Sequence, residues 1–317
     1  MPSSSPVDTD AFLEAAQVHR RELLAHCYRM TGSLHDAEDL VQETYLRAWR
    51  SRSTYEGRAS LRTWLYRIAT NACLTARQSG VRRVLPSGLG PPEADPDAEI
   101  RLAPGATRWL EPIPDALVRA QPDDPAELVV ARSTLRLALI ASLQYLPGRQ
   151  RAVFLLREVL AFPATDVAAM LDMTVPAVKS ALQRARARFE EVALTDEDVV
   201  EPESPAARAV LQRYVDAFER ADPAAIDELL RADARLEVTG SRTWFAGKTT
   251  CVPYLTRHVL LTPGEYSMRG TVANGQPATV SSRNGVPFAV VVLGTDGERL
   301  SAITVFTDPT LVDLFGG

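Results

Sequence analysis

Basic and amide side chains follow one face of a predicted helix in the segment VPAVKSALQRARARFE, where they could bind phosphates and base edges. The apolar residues of this segment recur with the period of a helix, which leaves the opposite face for solvent or a ligand. The apolar face carries Val175, Val178, Leu182, Ala185 and Phe189. The opposite face carries Lys179, Ser180, Gln183, Arg184 and Arg186. Cationic and amide groups in this arrangement favour recognition of nucleic acid in a major groove.

A preceding helix and a tight turn position that basic face. Apolar Val167 and Leu171 mark the first helix, and the turn is Asp172-Met173-Thr174. Thr174 is a good N-cap for the basic helix, and the proline two residues later fits the first helical turn. The pattern predicts a helix-turn-helix. From these residues alone, an ordinary amphipathic hairpin with a solvated basic face stays open.

The distribution of charge favours an anionic partner. The chain has 317 residues, enough for two or three domains, and a formal net charge of -5. Basic residues concentrate in 12–84 and 131–192, whereas 86–130 and the stretch after 192 are acidic. The basic blocks therefore suit an anionic ligand, and the acidic segments could compete for them.

Cysteine spacing and hydropathy limit which kinds of protein this chain can be. Cys27, Cys73 and Cys251 lie far apart without metal-ligand spacing, so we predict buried thiols in a reducing compartment and neither metal nor cofactor. No apolar run reaches membrane-spanning length, and the N-terminus lacks the features of a signal peptide. We predict a cytoplasmic protein without a membrane contact.

The first basic block contains a helix with an acidic outer face. Ser33 is the predicted N-cap, and the helix runs to about Ser51. Its inner side is predicted to carry Ala37, Leu40, Val41, Leu46 and Trp49. The acidic residues of its first turns either complement the helix dipole or form a docking face for a protein.

A loop over 52–60 and a third helix, LRTWLYRIATNACLTARQ, follow. Tyr55 and Arg58 could stack on an unpaired base or hold a phosphate. Trp64 could also stack on a base, but its helical spacing with Leu61 and Ile68 indicates a core position.

Three collinear motifs together resemble the bacterial sigma-70 factors of the extracytoplasmic-function (ECF) class. DAEDLVQETYLRAWR and SLRTWLYRIATNACL are similar to region 2 of that family, and the helix-turn-helix ending in VKSALQRARARF is similar to region 4. Asp172 departs from the glycine that the family commonly has at the turn, although aspartate tolerates a left-handed backbone better than most residues. The resemblance implies a transcription initiation factor that binds core RNA polymerase and promoter DNA and is not an enzyme.

The resemblance also implies residue roles. The core polymerase would be bound by Asp36, Glu38, Asp39, Gln42 and Glu43. The melted -10 element would be read by Tyr55, Arg58, Ser60, Arg62, Arg67 and Asn71. The -35 duplex would be met by Lys179, Ser180, Gln183, Arg184 and Arg186. No residue is assigned a catalytic role, and the sequence does not show whether an anti-sigma protein exists.

The stretch between the two blocks is an acidic linker rich in proline and glycine, predicted to be extended. Within it, Trp109 and Leu110 lie between prolines and are interpreted as an anchor, either for a partner's groove or for a neighbouring domain of the same chain. The family resemblance implies that this linker threads toward the polymerase active-site channel. The WLP-like motif resembles the subgroup that carries a C-terminal extension.

The last third predicts an α+β domain. Two helices precede a series of strands, and the turns between the last four strands are Asn274-Gly275, Asn284-Gly285 and Asp296-Gly297. The element order resembles the SnoaL-like cone-shaped fold. Some members of that fold are enzymes, for which a carboxylate or histidine in an apolar cavity would be needed. The candidates are Asp233, Glu237, His258 and Asp308, and none has a motif partner.

We therefore predict a multidomain chain with two all-α sigma domains and a C-terminal α+β SnoaL-like domain. The predicted domains are region 2 over 12–85, the linker over 86–124, region 4 over 125–192 and the C-terminal domain over 205–317. The predicted function is that of a sigma factor regulated in cis by its C-terminal domain through an intramolecular contact. The alternatives are a repressor-type DNA-binding protein and a helix-turn-helix regulator fused to a small-molecule sensor or enzyme.

Overall fold

The computed structural model describes residues 9–55, 57, 59–76, 82–118, 134–192 and 200–316. The chain divides into two compact units. The described part of the first unit comprises 9–76 without positions 56 and 58, 117–118 and 142–192; that of the second comprises 82–116, 134–141 and 200–316. The linker segment 82–116 is thus grouped with the C-terminal third of the chain.

Helices build the first unit. In chain order they are α1 Thr9–Gln17, α2 Arg20–Thr31, α3 Leu34–Ser51, α4 Leu61–Ala76, α5 Asp115–Val118, α6 Leu137–Leu143, α7 Gly148–Phe154, α8 Ala164–Leu171 and α9 Val175–Val192, of which α5 and α6 span the division between the units. A short 3-10 turn, Arg52–Thr54, follows α3, and a π-helical turn, Leu155–Val159, follows α7.

The first unit begins with two helices, α1 and α2, separated by a turn at Val18 and His19. Gly32 ends α2 with a φ of 73° and donates its N–H to Tyr28 O. Ser33 caps α3 as predicted, accepting from Asp36 N at 3.0 Å.

One core position on α3 was predicted wrongly. Leu46 is 50% exposed, whereas Leu40 and Val41 are buried as expected. Leu46 lies seven residues after Asp39, two helical turns along, and therefore belongs to the outer stripe.

The helix-turn-helix has the predicted geometry. Asp172 ends α8 in the left-handed region with a φ of 52°. Thr174 Oγ1 accepts from Ala177 N at 3.3 Å, which caps α9. The buried face of α9 includes Val178 and Ala185, which confirms the predicted core stripe at these positions.

A buried guanidinium ties region 4 to region 2. The side chain of Arg151 on α7 is fully buried. It donates to the main-chain carbonyl of Met30 near the end of α2, to Gln144 Oε1, and to Leu146 O at 3.1 Å. Arg151 lies two residues after the exposed Arg149, which is just over half a helical turn. The two arginines therefore point to opposite sides of α7.

The second unit is a mixed six-stranded sheet with helices on it. Its helices are α10 Pro205–Glu219, α11 Pro223–Leu229, α12 Lys248–His258 and α13 Pro309–Leu314. Its strands are β1 Leu230–Val238, β2 Trp244–Ala246, β3 Tyr266–Ala273, β4 Gln276–Arg283, β5 Val286–Thr295 and β6 Leu300–Phe306. The order is β2-β1-β6-β5-β4-β3, and only the β1–β6 pair is parallel. This arrangement confirms the predicted α+β class.

The hairpin turns follow the sequence prediction. Asn274 and Asn284 adopt positive φ values of 57° and 51°, and the glycine after each is also left-handed. Such turns suit the twist of paired strands.

The two faces of the sheet have different coverings. One face packs with α10 and α12 in a core that includes Tyr214, Leu236, Leu255, Val291 and Ile303. Because side chains alternate along a strand, the neighbouring positions face away from this core. These positions pair across the sheet as a row and are called here the outer sheet face: Trp244, Glu237, Thr304, Val292 and Ala278.

Cysteine and hydropathy predictions can be checked in the described residues. Cys27, Cys73 and Cys251 are buried and free, as predicted. The hydrogen bond with Cys73, and then burial, raise the pKa of the Cys27 thiol. Within the described ranges, no cluster of three metal-binding side chains occurs and no helix is long and apolar enough to cross a membrane.

We expect Arg151→Met to destabilise the first unit by roughly 3 kcal/mol, because it leaves buried carbonyls and Gln144 Oε1 without their donor. The thermal unfolding midpoint of the full-length protein reports the loss. Arg149→Met is the matched control, since that residue is exposed on the same helix. Equal midpoints for the two variants would contradict the structural role of Arg151.

Stability should also fall with acid because of His26. Burial and the nearby Arg29 lower the pKa of His26 to about 3, and its Nε2 lies 2.9 Å from Thr70 Oγ1. The unfolded imidazole takes up a proton near pH 6.5, so unfolding becomes more favourable as the pH falls from about 6.5 towards 3.

Urea unfolding of full-length protein between pH 7.5 and 4 measures this dependence. We expect His26→Gln to flatten it, with a slope smaller by about 1 kcal/mol per pH unit. His35→Gln, at an exposed site of the same unit, should keep the original slope. An unchanged slope in His26→Gln would show that other groups cause the acid sensitivity.

Candidate functional site

The acidic surface predicted on α3 is accessible. Asp39 and Gln42 are exposed, and Asp36, Glu38 and Glu43 are partly exposed. Glu43 accepts from Arg47 Nε at 2.7 Å, and Glu38 lies 3.7 Å from Arg20. Leu46 adds an exposed apolar side chain to the same stripe, which the sequence prediction missed. The surface can bind a partner with cationic groups around an apolar contact.

The loop before α4 places two of the predicted residues. Tyr55 donates its hydroxyl to Ala59 O at 2.8 Å, and its ring lies 5.0 Å from the Trp64 ring. Ser60 caps α4 by accepting from Thr63 N at 3.1 Å. Arg58 lies outside the described residues. The aromatic pair gives this loop a surface on which a base can stack.

The residues on α4 predicted to bind DNA differ in how far their side chains are already engaged in contacts within the protein. Arg67 is exposed. Arg62 donates to Glu22 Oε2 at 2.8 Å, and its guanidinium lies 4.9 Å from the Tyr66 ring centroid. Asn71 Nδ2 donates to Arg67 O at 2.9 Å and to the carbonyl of Met170 on α8 at 3.1 Å. The Asn71 amide is therefore already engaged.

The basic surface of α9 faces solvent. All five predicted residues are exposed: Lys179, Ser180, Gln183, Arg184 and Arg186. Arg186 is paired with Glu158 at 2.9 Å, and Arg184 donates to Ser180 Oγ. Both contacts are exposed and therefore contribute little stability, so phosphate can replace them at small cost. The arrangement can lie in a major groove.

The predicted linker anchor is held within the second unit. Leu110 is fully buried, whereas Trp109 is half-buried, so the leucine is the deeper of the two. Leu110 N donates to Val84 O at 3.0 Å. Arg83 donates to Trp109 O at 2.9 Å and pairs with Glu111 at 3.1 Å, with little exposure of either charged side chain.

The linker lies against the outer sheet face. Ser87 N donates to Glu237 Oε2 at 2.8 Å, and Trp244 Nε1 donates to Gly90 O at 2.9 Å. Glu237 is only 3% exposed, and the linker amide supplies part of the hydrogen bonding that such a buried carboxylate needs.

The turn between β3 and β4 binds the main chain near residue 113 and near residue 136. No sequence motif predicted these contacts. Fully buried Asn274 accepts from Ile113 N at 3.0 Å and donates to Leu135 O at 2.8 Å. Gln276 Oε1 accepts from Leu137 N at 3.0 Å, and Gly275 N donates to Asp115 Oδ1 at 2.8 Å. This turn, called here the amide clamp (Asn274, Gly275 and Gln276), binds the end of the linker and the start of α6.

Two candidate catalytic residues are engaged at the surface. Asp233 is exposed and forms two hydrogen bonds with Arg231, at 2.9 and 2.8 Å, which lower the pKa of Asp233. A general base that works near neutral pH needs the opposite shift. Asp308 caps α13 by accepting from Thr310 N at 2.9 Å.

The other two candidates contact the linker. Glu237 belongs to the outer sheet face and binds Ser87, so it does not point into the helix-covered core. His258 is exposed, and its Nε2 lies 3.2 Å from Asp97 Oδ1. The four candidates are thus dispersed over separate contacts and do not form one site.

Comparison with known proteins gives the family. Residues 16–83 match the model of Sigma-70 region 2, and residues 136–189 match that of Sigma-70 region 4. The ECF RNA polymerase sigma factor SigG of Mycobacterium tuberculosis is 45% identical over 311 residues, which cover 96% of this chain and 83% of that protein. SigW of Bacillus subtilis is 27% identical over 179 residues, covering 56% of this chain and 87% of that protein.

A solved structure shares the architecture. The crystal structure of the Mycobacterium tuberculosis sigma factor SigJ matches with a TM-score of 0.59 at 20% identity, covering 95% of this chain and 98% of that one. The two proteins thus share a fold over nearly their whole lengths. With SigG matching over nearly the whole length, the chain belongs to the ECF RNA polymerase sigma factors, which bind core polymerase and promoter DNA to start transcription at specific promoters.

Proposed function

We propose that the acidic surface of α3, residues Asp36, Glu38, Asp39, Gln42 and Glu43, is the part of this sigma factor that binds core polymerase. The exposure of Asp39 and Gln42 carries this assignment. Leu46 extends the same surface, and a central apolar contact among charged neighbours is typical of a protein interface.

The two remaining surfaces are assigned to promoter DNA. The exposed basic face of α9 suits the -35 duplex, where Arg184 and Gln183 have the geometry for base edges and Lys179 suits phosphate. The loop around Tyr55 and the residues of α4 suit the unpaired -10 strand, because a base that has left the duplex needs a stacking surface and a polar group to read it.

Asp39→Arg tests the polymerase assignment. Reversing an exposed charge at the centre of the interface should weaken binding of the full-length protein to core polymerase at least about tenfold, because like charges then face each other. Fluorescence anisotropy of labelled protein titrated with purified core measures the affinity, and run-off transcription from a pool of genomic fragments measures initiation.

Glu14→Arg is the control for this experiment, since Glu14 is an exposed acid on α1 of the same region. It should retain both affinity and transcripts. Unchanged core binding by Asp39→Arg, or an equal loss in Glu14→Arg, would contradict the assignment of the α3 surface.

The C-terminal domain is assigned a regulatory role that acts through the linker. Linker contacts occupy Glu237, Trp244 and the amide clamp of that domain. A linker bound there is not free to enter a polymerase channel, so docking should limit initiation. The domain is proposed to regulate and not to catalyse, because each of its candidate acid–base groups is taken up by a structural contact.

Asn274→Gly tests this regulation. Glycine keeps the positive φ of the turn but removes the side-chain bonds to Ile113 and Leu135. We expect faster amide hydrogen exchange over residues 109–116 and more run-off transcript per molecule of protein.

Asn284→Gly is the matched control, because Asn284 has the same backbone conformation in the next hairpin and is exposed. It should leave both quantities unchanged. Faster exchange without a change in transcription would show that linker docking is structural only and would remove the regulatory role.

A further inference from the structure

The residues assigned to the -10 strand are partly covered by region 4 of the same chain. Met170 O on α8 accepts from Asn71 Nδ2 at 3.1 Å. The Phe162 ring lies 5.2 Å from the Arg62 guanidinium and 5.3 Å from the Tyr66 ring, at an angle of 66°. All of these residues lie in the first compact unit.

The Phe162 ring and the Met170 carbonyl offer the same kinds of contact as an unpaired base. A nucleobase offers a flat π surface and, in most bases, a carbonyl oxygen that accepts from an amide. The Phe162 ring supplies an aromatic surface for Arg62, and the Met170 carbonyl supplies the acceptor for Asn71.

The backbone around Phe162 is shaped to present the ring. Ala161 has a φ of 54°, in a region that costs a non-glycine residue about 1 kcal/mol. The π-helical turn at Leu155–Val159 precedes it, and Phe162 N donates back to Leu156 O at 2.9 Å. Phe162 is 6% exposed, so the ring is fully inserted.

The basic face of α9 is not covered in this way. Its five assigned residues, Lys179, Ser180, Gln183, Arg184 and Arg186, are all exposed. The closed first unit therefore presents its -35 surface while its -10 surface is occupied.

We propose that Phe162 and the Met170 carbonyl are an internal stand-in for an unpaired -10 base, which single-stranded promoter DNA must displace. This proposal rests on the assignment of Arg62 and Asn71 to the -10 strand. It predicts that the closed first unit binds -35 duplex but excludes the melted strand.

A reversible covalent lock tests the proposal. A Cβ placed on Gly148 would lie 3.3 Å from Leu74 Cδ2, so α4 and α7 touch at this point, and Leu74→Cys with Gly148→Cys is the pair chosen for an oxidised disulfide between them. Peptide mass mapping under non-reducing conditions identifies the bond. Leu74→Cys alone, exposed to the same oxidant, is the control.

Holoenzyme made with wild-type protein first selects fork-junction DNA, duplex upstream and single-stranded downstream, from a randomised pool. Holoenzyme with the oxidised lock should bind the selected fork about tenfold or more weakly than the reduced form. Both forms should bind the upstream duplex alike. Equal fork binding by the two forms would overturn the proposal.

Two substitutions distinguish a failure of this proposal from a failure of the assignment of Arg62 and Asn71 to the -10 strand. Asn71→Ala should lose binding to the selected fork, and full retention would instead refute the -10 assignment. In the free full-length protein, Phe162→Leu should bind the selected single strand several-fold more tightly, whereas Phe154→Leu, which alters a ring stacked on Phe189, should not. No gain in Phe162→Leu would likewise overturn the stand-in.

Discussion

The burial of Arg151 is the constraint on which the first unit depends. Burying a guanidinium is costly unless its donors are bonded, and here the two terminal nitrogens reach Met30 O, Gln144 and Leu146 O, whereas Nε has no partner among the described residues. These bonds join the end of α2 in region 2 to α7 in region 4. Once the two regions are joined there, α8 lies beside α4 and the Met170 carbonyl meets Asn71. The contact between Asn71 and Met170 therefore lies in the same packing of α4 against region 4 that the buried Arg151 helps to hold.

The second unit relies on main-chain recognition by buried polar side chains. Glu237, Asn274 and Gln276 each bind a backbone group of the linker or of the start of α6. Such bonds depend little on the sequence of the bound segment but strongly on its path, because each buried donor or acceptor must be satisfied. The linker thus lies on the outer sheet face. Its acidic and proline-rich sequence predicted an extended segment but did not indicate the surface to which it binds.

The local pattern of the sequence predicted much of this structure. The capped turn at Asp172, the exposed face of α9 and the asparagine hairpins follow from periodicity and turn chemistry, which act between near neighbours. The burial of Arg151, the covering of Asn71 and the role of Asn274 join residues about 100 or more positions apart, which no local pattern encodes.

The most direct test of the account is to map transcription start sites with purified core polymerase, with and without the full-length protein, on fragments of the source genome. A sigma factor should give start sites that require the protein and that share two sequence elements at a fixed separation upstream. The absence of such starts, with duplex binding by the protein retained, would contradict it and would indicate a DNA-binding protein that acts without polymerase.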